Sequence, residues 1–235
     1  MRKSVLATLA VAASLTLAAC GSSGDALPSG LQGKSAAQIL LAAENAGVQS
    51  GFVLVSGQSV GTGLQTTAVI HAATYFGQES SIGVSGTVLA RLTGHIVYFK
   101  ADELYLKKNF KKPNSPYAGV WIAVPPTNAI YASAQSLTVS GNLVNIFPTA
   151  HLKIVGVTHV NGIKCVHISG QHSLTSSDKV DVYINYAKPY LPVQVKIRVT
   201  IGVTAFGQIQ NYTMWGVQFV VTPPPVSIPI GRTNL

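Results

Sequence analysis

Residues 179–185 read KVDVYIN and residues 193–201 read VQVKIRVTI. In the first run Val180, Val182 and Ile184 alternate with Lys179, Asp181 and Asn185. In the second, Val193, Val195, Ile197, Val199 and Ile201 alternate with Gln194, Lys196, Arg198 and Thr200. Strict alternation makes one face dry and the other wet, which belongs to antiparallel sheet. Strands of a parallel α/β sheet are apolar throughout, and no repeated strand–helix–strand rhythm runs through this chain. The pattern predicts an α+β fold: one large twisted antiparallel sheet with a few helices on one face.

The rest of the chain extends this reading. Residues 158–164 (THVNGIK) place Asn161-Gly162 between apolar runs, a strong signal for a two-residue hairpin. Upstream, Phe52 to Val60 and Leu64 to Phe76 read as strands. Ile82, Val84, Val88 and Leu92 continue the alternation. His95 to Lys100 and Leu104 to Lys108 read as two short strands about a turn at Ala101-Asp102-Glu103. Trp121 to Val124 is a short strand stopped by Pro125-Pro126. Ile209 to Val221 is the last long run, ended by Pro223-Pro224-Pro225. Helices are fewer. Ser35 with Gln38 forms a capping box, followed by the stripe Ile39, Leu40, Ala43, Ala46 and a C′ candidate at Gly47. Thr127 or Asn128 can cap a second helical stretch through Ile130, Ala134 and Leu137, and Leu143, Val144 and Phe147 mark a further turn.

The N-terminus gives an address. Arg2 and Lys3 precede an uncharged, apolar stretch from Val5 to Ala19 that is short for a membrane span, so residues 1–19 read as a signal peptide. Leu17-Ala18-Ala19-Cys20-Gly21 resembles the bacterial lipobox, in which the cysteine is acylated and becomes the first residue. Cys20 is the expected lipid anchor to the extracytoplasmic side of the cell membrane. Residues 20–34, rich in Gly and Ser, read as a flexible tether, and 35–235 as a single domain.

Composition excludes several function classes. The chain has 235 residues, 47% apolar and 10% charged, with 16 Lys+Arg, 7 Asp+Glu and 2 Cys. So few carboxylates make paired-carboxylate chemistry improbable, and two cysteines exclude a four-cysteine zinc site or a disulfide scaffold. The net charge of +9 does not imply nucleic acid, given the address. Lys107, Lys108, Lys111 and Lys112 form a basic cluster in a loop, read either as a solvated edge or as a surface for acidic headgroups. Gly57-Gln58-Ser59-Val60-Gly61 matches G-x-S-x-G, but the segment after it is strand-like rather than helical. It reads as a β-turn, with a serine hydrolase as the competing possibility. Cys165 and His167 share a strand face without an activating charge nearby, and the six histidines show no metal-ligand spacing. No enzyme, cofactor or metal is expected.

Taken with the lipobox, the helix at 35–47, the strands at 52–108 and the Trp121 strand, the segment 156–170 (GVTHVNGIKCVHISG) resembles the LppX/LprG family of actinobacterial lipoproteins. Val182-Tyr183-Ile184, Trp215-Gly216 and Val221-Thr222-Pro223-Pro224 extend the likeness. The fold of that family is related to the LolA and LolB lipoprotein carriers. The resemblance implies a strongly curved half-barrel with helices on its concave side, an apolar cavity for acyl chains of envelope lipids or glycolipids, and a carrying rather than enzymatic role. Family members with a large cavity carry a helix between the Ile-Ser-Gly strand and the next strand. Here that interval, 171–178, is too short for one. The residues themselves leave two outcomes open. Ala36, Ala37, Ala42, Ala43 and Ala46 either let the sheet come very close or leave an apolar gap. In the second case Ile39, Leu40, Ala43, Val195, Ile197 and Val199 line the lipid site. In the first, a closed core points to an envelope adaptor that binds another protein.

Overall fold

The computed structural model describes residues 25–61, 64–201 and 204–233. The signal peptide and Cys20 lie outside the described residues. A 3-10 turn, Ser29–Leu31, precedes helix α1, Ala36–Ser50. Five strands follow: β1 (Phe52–Gly61), β2 (Leu64–Ala73), β3 (Gly77–Gly83), β4 (Gly86–Thr93) and β5 (Ile96–Ala101). Next come α2 (Glu103–Phe110), β6 (Ile122–Val124), α3 (Ala129–Ser133), a 3-10 turn at Ala134–Leu137 and α4 (Val139–Ile146). The second half is β7 (Ala150–Val160), β8 (Ile163–Gln171), β9 (Lys179–Asn185), β10 (Pro192–Ile201), β11 (Thr204–Thr213) and the short β12 (Ile228–Pro229).

Among the described residues all twelve strands form one sheet, in the order β12-β6-β5-β4-β3-β2-β1-β11-β10-β9-β8-β7. Every pairing is antiparallel except β12 with β6. Two meanders, β1–β5 and β7–β11, therefore meet where β1 pairs with β11, Gly57 opposite Gln210. The sheet is open and curved. Helix α1 touches β1, β10 and β7, and β7 lies five places from β1 in the sheet, so the strands curl around the helix. This is the expected α+β half-barrel. One continuous core lies on the concave side, from Ile39 and Ala43 of α1 to Val182, Val195, Val97 and Phe99 of the sheet.

Local signals explain where elements begin and end. The Ser35–Gln38 capping box is formed in both directions: the Ser35 amide donates to Gln38 Oε1 at 2.9 Å, and the Gln38 amide to Ser35 Oγ at 3.3 Å. Gly47 does not end the helix. It is buried within α1, where Leu143 and Trp215 pack so closely that a Cβ would meet Leu143 Cδ1 at 2.8 Å. Gly51, at φ 76°, takes the left-handed cap instead. Asn161 (φ 51°) and Gly162 (φ 80°) form the β7–β8 turn with both central residues at positive φ, as a type I′ hairpin requires.

Several sequence expectations need correction. Leu104 to Lys108 is helical: Asp102 Oδ1 accepts the Tyr105 amide at 2.7 Å, and this N-cap starts α2 where alternation had suggested a strand. Ile82 to Leu92 is two strands turning at Val84-Ser85, which leaves Ile82 and Val84 exposed. Gly57 to Gly61 lies within β1, not in a turn. The run from Ile209 leaves the sheet at Thr213, because Met214 (φ 53°) and Gly216 (φ 75°) redirect the chain. It then crosses the outer face, with Phe219 edge-on to Phe52, His71 and Phe76. Residues 25–34, read from sequence as tether, make contacts with the domain. From Asp25 onward the chain is docked: Asp25 pairs with Lys164 at 2.8 Å, Tyr186 donates to the Ala26 carbonyl, and Leu31 is 1% exposed.

Candidate functional site

The concave face has a row of side chains in direct cross-strand register. From β7 it runs Ile154, Ile168, Val182, Val195, Gln210, Gly57, Ala68, Ser81 and Val88. On β7–β10 these side chains are large and belong to the core that α1 covers. Over β1–β3 they shrink to Gly57, Ala68 and Ser81. The neighbouring row is also small or polar there, with Gln208, Ser59 and Thr66 in register. Ser136 of the preceding 3-10 turn and Asn142, Asn145 and Ile146 of helix α4 roof this stretch. A hollow of about 580 Å³ remains, within the usual range for small-molecule sites.

The hollow continues in two directions. It shares Glu79, Ser81 and Ser136 with a chamber of about 260 Å³ walled by Val88, Val97, Phe99, Tyr105, Phe110 and Leu137. It shares Ser59, Thr66, Ile197, Val199 and Gln208 with a space of about 280 Å³ that ends at Phe206. The result is one trough along the concave face, apolar towards α2 and polar in the middle. The 3-10 turn is pressed onto the start of β3, where a Cβ on Gly77 would meet the Leu137 carbonyl oxygen at 2.0 Å.

The polar centre has defined partners. Tyr212 is buried, and its hydroxyl sits 3.0 Å from both Asn142 Oδ1 and Gln210 Oε1. Burial holds that phenol protonated, far above its ordinary pKa. Asp178, on the loop after β8, accepts from the His172 ring, the His172 amide and Ser176. Burial pushes its carboxyl up, but these bonds outweigh it and hold the pKa below the usual value. Glu79 differs. Burial raises its pKa, and among the described residues no hydrogen bond or ion pair compensates it. The lining includes no lysine or arginine.

The six residues named from sequence separate. Ile39, Leu40, Ala43 and Val195 are sealed in the core, because the alanine-rich face of α1 lets the helix settle directly on the sheet. Ile197 and Val199 line the trough. Lys107 and Lys108 occupy the last turn of α2 and Lys111 its left-handed cap, with Lys112 just beyond, so this cluster is a helix end rather than a loop. None of the four lines the trough. The floor residues Gly57, Ala68 and Ser81 carry no signal in single-strand periodicity beyond small side chains on three consecutive strands.

The remaining candidates are also placed. Ser59 is exposed on β1, whose chain continues towards β2 rather than into a helix, so no strand–turn–helix elbow surrounds it. Cys165 is buried against Val160, Val193 and Tyr183, and burial pushes its thiol up to about 11. His167 does have a carboxylate partner: its Nε2 lies 2.9 Å from Asp181 Oδ1, and Arg198 and Lys179 reach the same carboxylate. His159 pairs in register with Lys164, and His167 with Gly156, so the two histidines do not face each other across the hairpin. Among the described residues no group of three metal-ligating side chains occurs, and no helix is long and apolar enough to cross a membrane.

No protein-family model and no curated protein matches the chain. Among solved structures it is similar to an uncharacterised conserved protein from Thermus thermophilus, at 12% identity and a TM-score of 0.46, over 83% of this chain and 97% of that one. It is also similar to MucB in the MucA/MucB complex of Pseudomonas aeruginosa, at 11% identity and a TM-score of 0.41. That match spans 76% of this chain and only 57% of the other. A LolA superfamily protein from Nitrosomonas europaea is similar at 10% identity and a TM-score of 0.30, over 80% and 95% of the two chains. At such identities and scores the likeness assigns no ligand, partner or activity to this chain.

Proposed function

We propose that this chain is a membrane-anchored, non-enzymatic carrier or presenter of an amphiphile, of the LppX/LprG kind, held on the extracytoplasmic side by acylation of Cys20. The supporting observation is the trough: a hollow of about 580 Å³ over Gly57, Ala68 and Ser81, opening into an apolar chamber beneath α2. An apolar space of this size accepts hydrocarbon readily, and the polar middle suits a headgroup. Native mass spectrometry of the chain after mild extraction is expected to show co-purified lipid. Ala68→Phe, which fills the floor, is expected to lose it. A clean apo mass, with no binding of a neutral fluorescent alkyl probe, overturns the reading.

A second reading, an adaptor for another protein, is favoured by the outer edge of β7, which has no neighbouring strand among the described residues. Its unpaired backbone groups could accept an extended segment. Cross-linking in cells from position 153 or 155 distinguishes it.

A further inference from the structure

The headgroup can be assigned a charge. Glu79 stands at the junction of the polar hollow and the apolar chamber and lines both. It is mostly enclosed, on β3 between Ile70 and Ala90 of the neighbouring strands, with Phe99 one strand further. Such a carboxylate normally has a cation or several donors beside it, since an enclosed charge without them is costly. Glu79 has neither among the described residues. The other carboxylate of the lining, Asp178, is already occupied by His172 and Ser176. The protein as a whole is strongly basic, at +9, yet no lysine or arginine lines its trough, and the four clustered lysines lie outside it.

We propose that the trough binds an amphiphile with an amine-bearing, cationic headgroup, its ammonium on the Glu79 carboxylate and its chain in the chamber between β4, β5 and α2. This rests on the amphiphile reading above and replaces the acidic headgroup that the lysine cluster had suggested. Ser81 and Ser136, at the same junction, supply acceptor oxygens for the remaining ammonium hydrogens. A carboxylic or phosphate headgroup would instead meet an unpaired like charge.

Titration calorimetry on the purified full-length chain at neutral pH, below micelle-forming concentrations, tests this with three ten-carbon probes: decylammonium, decanoate and decyl maltoside. Decylammonium is expected to bind about tenfold or more tightly than the other two, as one charge-assisted contact supplies. Glu79→Gln is expected to remove that preference, bringing decylammonium down to the affinity of the uncharged probe. Ala68→Phe is expected to weaken all three. If no probe binds the wild-type chain, the amphiphile reading itself falls. If the probes bind but decanoate or decyl maltoside equals decylammonium, or if Glu79→Gln keeps the preference, the cationic assignment falls and the hollow keeps its role.

Discussion

Glu79 and Asp181 are carboxylates that burial treats alike and neighbours treat differently. Burial raises Glu79, and only the Tyr105 phenol, itself shifted up, interacts with it electrostatically among the described residues. The folded chain therefore holds a proton there more tightly than the unfolded chain. Stability falls as pH rises from the ordinary carboxylate value through the raised one, and the full cost is present above the raised value. Glu79→Gln is expected to melt higher than wild type at neutral pH, with the difference vanishing near about pH 3, below the ordinary carboxylate value, where the side chain is uncharged in the folded and the unfolded chain alike. Equal melting temperatures at both pH values would show that Glu79 is better solvated than its position implies. At Asp181 burial also pushes the pKa up, but bonds from His167 and Ser169 and the charge of Lys179 prevail and hold it below the usual value. That stabilisation is present above the ordinary carboxylate value and is lost as pH falls through the depressed one. Asp181→Asn is expected to cost about 1–3 kcal/mol in urea unfolding at neutral pH, the worth of bonds to a charged group, moderated because Arg198 and Lys179 can turn to solvent.

At the scale of elements, α2 decides whether the apolar chamber has a wall, and one side chain decides whether α2 forms. Asp102 accepts the Tyr105 amide with one oxygen and the Thr87 amide with the other, each at 2.7 Å, so it caps the helix and pins the β3–β4 hairpin. Asp102→Ala is expected to destabilise the fold by about 2 kcal/mol, the sum of a lost cap and a lost bond, and to weaken alkyl-probe binding because Tyr105 and Phe110 loosen. Unchanged affinity would detach α2 from the site. This element also marks where sequence reading stopped. Leu104 and Leu106 alternate like a strand, and only the cap, with Leu106 buried and Phe110 four residues on, makes the segment helical. Where turn chemistry is explicit, sequence and structure agree, as at the Asn161-Gly162 hairpin and the Ser35–Gln38 box. Where it was implicit, as at Val84-Ser85 or after Thr213, alternation ran on past the true strand end.

For the whole molecule, the question is why one sheet is packed on one half and hollow on the other. Periodicity predicted the sheet because each strand repeats its own pattern. The trough was not legible in that way, since it depends on register between strands: Gly57, Ala68 and Ser81 fall in line only once β1, β2 and β3 are paired. Of the two outcomes that the alanines of α1 left open, close approach is the one realised at Ala36 and Ala43, which are buried against the core. Two enlargements of alanine separate these cases. Ala43 is fully buried where α1 rests on the sheet, so Ala43→Leu forces the helix outwards and is expected to cost about 1–3 kcal/mol by overpacking. Ala68 faces the hollow, so the larger change Ala68→Phe is expected to leave the urea midpoint at or above that of wild type while alkyl-probe binding is lost. If Ala68→Phe proves as destabilising as Ala43→Leu, the floor is as tightly packed as the α1 contact, and the sheet has no room for a ligand.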